Sequence, residues 1–269
     1  MKKAILGCSV FYDELQQVTE DHNDITLKLL PQGLHDMPDE TRMQEKLQQG
    51  IDELESSDDF DRIILAYGFC SGGVEGIEAE NAELVIPMMH DCIPLLSGSQ
   101  QAEGRVDGSA TYYLSRGWID CGGDTYRQHL AMTGELDRWV ERFREYEQND
   151  SRALVEWPEI DQYQDPNQYG EEMAEQISFQ CMKSYEAIVL IDNGNLERIH
   201  YDYAEEMHEF IDDLLRRNRG KGLEFKVREG DLSLLKKLVF LERYSDADAE
   251  DLALITPPAT PLRLEEKII

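Results

Sequence analysis

The sequence predicts an α/β protein with a mainly parallel sheet and helices on both faces, in the Rossmann-like manner. Three observations carry this. Short apolar runs of the buried-strand type recur along the 269 residues. Helix-length segments separate them, as βαβ units require. Several of the runs also stop at Gly, Cys, Asn or Asp, the residues of loops at strand ends.

Taken in order, "KAILGCSV" is an apolar run ending in Gly-Cys-Ser, which fits a central parallel strand entering a loop. "DITLKLLP" is a second strand, closed by Pro31, and leads into the turn-rich "QGLHDMPDE" with His35 and Asp36. In "DETRMQEKLQQGIDELESS", Met43, Leu47, Ile51 and Leu54 recur at helical spacing and define one buried face. "DRIILAYGFCSGG" and "AELVIPMMHDC" repeat the strand-to-loop design, each with a cysteine in the loop.

The middle of the chain is less regular. "TYYLSRGWIDCGGD" reads as an extended element and a Gly turn, and "TYRQHLAMTGELDRWVERFREYEQ" as helix interrupted near Gly134. "SRALVEWPEIDQYQDPNQYG" is polar and rich in turn residues. The expected organisation is one domain over residues 1–258, with an insertion around 135–170 and a loose tail at 259–269. Before the tail come a helix, the strand "AIVLIDNGN", the amphipathic helix "YAEEMHEFIDDLLRRN", the strand "LEFKVREGD", the short helix "LSLLKKLVF" and a last strand, "DLALITPP".

Charge excludes two classes of partner. Asp and Glu number 56 against 26 Lys and Arg, a net charge of −30. A surface this acidic repels phosphate backbones and anionic bilayers, so neither nucleic acid nor membrane is an expected partner. No apolar run approaches the roughly 18 residues of a membrane span, and the start reads as a strand with no cleavage site, so a cytoplasmic protein is expected. Its five cysteines are odd in number and scattered, which does not suggest a disulfide framework.

Three strand ends, "GCS", "GFCSGG" and "MHDC", each place a thiol where parallel sheets build their sites. If those strands are neighbours, Cys8, Cys70 and Cys92 converge with His90 beside them, and His35 is a further ligand from the loop after the second strand. Thiolates with an imidazole suit a transition metal, either zinc or an iron–sulfur cluster. The ordinary use of each cysteine is as a small buried hydrophobe. A competing chemical use makes Cys92 a nucleophile at a helix start, with His90 as its base. Gly72 and Gly73 would let the backbone approach a ligand; the loop lacks the residues of a phosphate-binding loop. Arg116 is a candidate anion anchor and Trp118 a candidate pocket wall, with Tyr112 and Tyr113 beside it. His200 and His208 lie on or near a charged helix and are expected to be solvated. Cys121 is expected in a loop and Cys181 in helix packing, while Asp192 is either a site carboxylate or a turn former.

The segments "ILGCSV", "LPQGLHDMP", "AYGFCSGGVEG", "IPMMHDCIPLLSGS", "TYYLSRGW" and "AIVLIDNG", in this order, resemble the uncharacterised bacterial and archaeal family catalogued as domain of unknown function 1638. The likeness runs from the first strand to "GDLSLLKKLV", with "HDC" its most specific part. The family's loop usually carries Asn-Gly after its cysteine. Here Ser71-Gly72-Gly73 follows, which withdraws support from a ligand at position 71 and leaves Cys70. Against shorter members the acidic segment around 135–170 resembles an insertion. Family members often stand beside corrinoid-dependent methyltransferase systems, so the resemblance implies an accessory role in one-carbon metabolism, with a small molecule or a methyltransferase or corrinoid protein as partner. It implies no particular reaction.

Overall fold

The computed structural model describes residues 1–32, 40–99, 105–106, 109–157, 170–241 and 252–264. The fold class is the expected one: mixed α/β, with two mostly parallel sheets and helices packed on them. Where the sequence suggested one domain over residues 1–258, the residues group into two compact units. One comprises Met1–Glu103 with Asp231–Ile269, the other Gly104–Gly230.

The chain begins with β1 (Lys3–Cys8), a 3-10 turn (Ser9–Phe11) and α1 (Tyr12–Thr19), followed by β2 (Ile25–Leu30) and α2 (Glu40–Ser57). Then come β3 (Arg62–Ala66), β4 (Glu83–Pro87) and the short α3 (Ile93–Ser97). β1 and β3 are buried at every residue, as apolar runs central in a parallel sheet must be. Leu6 and Gly7, adjacent on β1, point to opposite faces. A Cβ on Gly50 of α2 would sit 3.0 Å from Leu6, and one on Gly7 would sit 2.8 Å from Leu15 of α1. The two helices therefore cover opposite faces. Met43, Leu47, Ile51 and Leu54 of α2 are all buried, as their spacing predicts.

The second unit holds β5 (Arg105–Val106), β6 (Ser109–Leu114), α4 (Arg116–Cys121), α5 (Thr125–Thr133) and α6 (Asp137–Asn149). It continues with α7 (Glu171–Met182), β7 (Ala187–Asp192), α8 (Arg198–Arg219) and β8 (Glu224–Glu229). Its sheet runs β5-β6-β7-β8, antiparallel at β5 and parallel elsewhere. Gly134, at φ +77°, ends α5 where the sequence placed the interruption. Much of the segment expected to be an insertion builds this unit's core: Trp139 and Phe143 of α6 are fully buried against Ile188, Tyr203 and Met207. Trp157 stacks on Phe143 at 4.5 Å. The stretch expected to be extended around Trp118 is instead the strand-to-helix junction of β6 and α4.

The chain returns to the first unit with α9 (Ser233–Val239) and β9 (Ala253–Thr256). The sheet order there is β2-β1-β3-β4-β9, parallel except for β9. Because β2 and β3 flank β1, the winding reverses between β1 and β3, and sheets of this kind place their sites outside the carboxyl ends of such strands. The tail expected to be loose is tied down in its described part, with Leu262 fully buried.

Candidate functional site

The geometry begins with three adjacent strands. β1, β3 and β4 lie side by side and parallel, and each runs into a cysteine at or just beyond its carboxyl end. Cys8 closes β1 and is buried; Cys70 and Cys92 lie in the loops after β3 and β4 and are half-buried.

The last two loops are zipped together. Phe69 N–H donates to the Met89 carbonyl at 2.8 Å, and Cys70 N–H to the His90 carbonyl at 3.1 Å. Gly68 permits this: a Cβ there would meet the Asp91 Cα at 2.5 Å, a clash of backbone with no flexible side chain to yield. Cys70 adopts φ +43°, left-handed territory that costs a residue with a Cβ and persists only where neighbours over-determine it. Burial pushes its thiol up to about 12, and the Asp91 charge adds to the shift while a backbone bond from Gly68 opposes it. At neutral pH Cys70 is therefore a thiol, a poor nucleophile, and one that a bound metal would deprotonate.

In the facing loop His90 is exposed, with its ring edge towards Phe69 at 6.1 Å. Asp91 Oδ1 accepts the Ile93 N–H at 2.8 Å, fixing the first turn of α3, where Cys92 is the capping position and Pro94 follows. Asp91 thus serves the helix start. Gly72, at φ +93°, has open space where its Cβ would be, whereas a Cβ on Gly73 would press on the Met43 sulfur at 2.5 Å. That close approach is to α2.

Among the described residues, no three His, Cys, Asp or Glu side chains are set to hold a metal ion. His35, the expected fifth ligand, lies outside the described residues. The fold thus brings Cys70 against the His90–Cys92 segment and puts Cys8 on the neighbouring strand, with the donors short of a coordination geometry.

Arg116 and Trp118 belong to the second unit. The Arg116 guanidinium is fully buried; it donates to the Asn195 carbonyl at 2.8 Å and to Asp150 at 2.7 Å, and its Nε lies 3.7 Å from Asp120. A cation so engaged is a structural clasp, not an anion anchor. Trp118 is half-buried, gives its backbone N–H to Ser115 in the first turn of α4, and packs over Gly122. Tyr113 is buried and Tyr112 packs edge-on against Tyr185 at 5.3 Å.

His200, expected in solvent, is fully buried. Its Nδ1 accepts the Glu197 N–H at 2.8 Å, which leaves Nε2–H to donate to Asp120 at 3.1 Å. His208 is half-buried, 3.1 Å from the Leu223 carbonyl and stacked on Phe225. Asp192 is the turn former, accepting from Gly194 N–H and from the Tyr201 hydroxyl. Cys121 closes α4 and donates to the Leu154 carbonyl at 3.2 Å, while Cys181 is exposed on α7 and does not pack.

Sequence reasoning missed Asp13 and Glu14. Both are fully buried in the first turn of α1, which follows the carboxyl end of β1. Asp13 accepts from the Gln17 amide at 2.7 Å. Their signal was two acids on a helix of only eight residues that follows a strand without a polar linker.

The family described as "Protein of unknown function (DUF1638)" matches residues 29–239, most of the chain, and the chain belongs to that family. No curated protein and no solved structure matches.

Proposed function

We propose that this member of the DUF1638 family binds a thiophilic transition metal, or a cofactor that contains one, at the carboxyl edge of the first unit's sheet. Cys70 and Cys92 are the central donors, with Cys8, His90 and His35 to complete the set. The observation that carries the reading is the pair of backbone bonds joining the Cys70 loop to the His90–Cys92 loop beside a reversal in strand order. Soft thiolates with imidazole favour zinc or an iron–sulfur cluster. Coordination requires the side chains to turn about χ1, since no three donors are set for a metal among the described residues. Service to corrinoid-dependent methyl transfer, with a small molecule or a methyltransferase or corrinoid protein as partner, rests on the family resemblance alone.

Metal analysis of protein purified without oxygen tests the reading, beside Cys8→Ser, Cys70→Ser and Cys92→Ser. The expected result is stoichiometric metal that each substitution removes, with the exposed Cys181→Ser as a harmless control. Wild-type protein that stays metal-free after anaerobic reconstitution with zinc, or with iron and sulfide, overturns it.

A second reading makes Cys92 a nucleophile or acid/base group. It is favoured by the half-buried position of Cys92 at the start of α3 and by the protonated state of Cys70. Fast alkylation of Cys92 alone, unaffected by chelator, would select it; joint protection of several cysteines, lost on chelation, would select the metal.

A further inference from the structure

We infer that the segment Ala259–Leu264 is a strap that holds the Cys70 loop in place, so that lifting it exposes the thiol. A train of turns links the two. Gly72 N–H donates to the Phe69 carbonyl at 2.9 Å, Gly73 N–H to Cys70 at 3.2 Å and Glu75 N–H to Gly72 at 2.9 Å. At the far end Gly76 N–H donates to the Leu262 carbonyl at 2.9 Å, Leu262 N–H to Ile77 at 2.8 Å and Ala259 N–H to Ala79 at 2.7 Å.

Leu262 anchors the strap, fully buried, where Val74 and Ile77 are buried too. From α2, the Gln44 amide adds a bond to the Glu75 carbonyl at 2.7 Å. The backbone bonds described for the Cys70 loop thus lead to Met89 and His90 on one side and, through the turns, to Leu262 on the other, with Gln44 of α2 as a side-chain tie between. The left-handed backbone at Cys70 needs both sides fixed, because a strained conformation relaxes once its surroundings stop over-determining it. A segment held by three backbone bonds and two buried leucines, Leu262 and Leu264, opens more readily than β1 or β3, which are buried along their whole length. The strap governs access to the site proposed above. Its test reads thiols and amides directly, with no metal added, so the two ideas fail separately.

The first experiment follows alkylation by iodoacetamide, cysteine by cysteine, in wild type and Leu262→Ala. Cys70 should react about tenfold faster in the variant, since removing a buried leucine side chain favours local opening. Cys8 should stay protected, and the exposed Cys181 should react at an unchanged rate. An unchanged Cys70 rate, or Cys8 and Cys70 accelerating together, overturns the strap. Hydrogen exchange on the unaltered chain decides the matter if the variant does not fold. The amides of Cys70 and Gly73 should then share the opening of Gly76 and Leu262, well ahead of Ile64. Protection of Cys70 and Gly73 equal to that of Ile64 while Leu262 exchanges overturns it equally.

Discussion

At Gly68 the loops after β3 and β4 meet backbone to backbone, and no side chain can be accommodated between them. Gly68→Ala should cost about 1–3 kcal/mol through overpacking and should separate Cys70 from the His90–Cys92 segment. Urea unfolding reads the first effect, and the ratio of Cys70 to Cys8 alkylation the second. Gly73→Ala is the comparison, because there the neighbour is the end of the flexible Met43 and can shift; equal costs for the two substitutions would refute the argument. His129 carries a pH dependence. It is buried on α5, its ring 4.2 Å from Phe210 and its Nδ1 3.5 Å from the Ser178 hydroxyl. Burial holds its pKa below the ordinary value, against a bond to the Ala174 backbone and the charges of Glu175, Glu135 and Glu171. As pH falls through the ordinary histidine range near 6.5, the unfolded chain takes the proton before the folded one, so this contribution to stability is complete above that range and lost below it. His129→Gln should therefore lose less stability than wild type between about pH 7 and 5.5, measured as urea midpoints. Parallel slopes would remove the claim.

Helix starts set much of the second unit's order. Asp124 caps α5, accepting the Arg127 N–H on Oδ1 at 2.8 Å and the hydroxyl of fully buried Tyr203 on Oδ2 at 2.7 Å. Asp124→Ala should cost about 2–4 kcal/mol, the cap together with an orphaned buried hydroxyl. Ser115→Ala loses a single, longer cap bond of 3.3 Å and should cost about 1 kcal/mol. Denaturant titration separates the two, and similar losses would place the Tyr203 bond outside the ledger. The long amphipathic elements could be read in the sequence because their periods are local: the face of α2 is buried as spaced, and of the α8 face Met207, Ile211, Leu214 and Leu215 are buried and Phe210 half-buried. α4 escaped because six residues are too few to show a period, and only the Ser115 cap signalled it. α6 was read as a helix, and Trp139 and Phe143 stand four apart on its one apolar stripe, but assigning the segment to an insertion hid that this stripe faces the core.

For the molecule as a whole the dominant quantity is a net charge of −30. Among the described residues some cations are committed to surface pairs such as Arg216–Asp212 and Arg217–Glu175, each worth little on its own. Acidic residues outnumber them so far that repulsion exceeds pairing, and added salt screens the repulsion. The melting temperature should therefore rise between low and about 1 M salt, where the Debye length shrinks to about 3 Å. A flat or falling curve would leave the charge as a matter of solubility alone. Among the described residues no helix is long and apolar enough to cross a membrane.

What the sequence by itself determined is what depends on neighbours along the chain. Strand and helix class, the faces of α2 and α8, the interruption at Gly134 and the cysteines at strand ends were all legible, because hydrophobic period, turn residues and caps act over a few positions. The tertiary structure alone decided which of these meet. Strand order placed β1, β3 and β4 side by side, so that thiols far apart in the chain share one edge of a sheet. Packing drew Arg116 and His200 out of solvent and gave each a partner distant in sequence, since a buried charge or ring nitrogen must be satisfied by whatever the fold brings to it. It also buried Asp13 and Glu14 in the first turn of α1, a location that no local pattern encodes, because burial of a carboxylate depends on what closes over it from elsewhere in the chain.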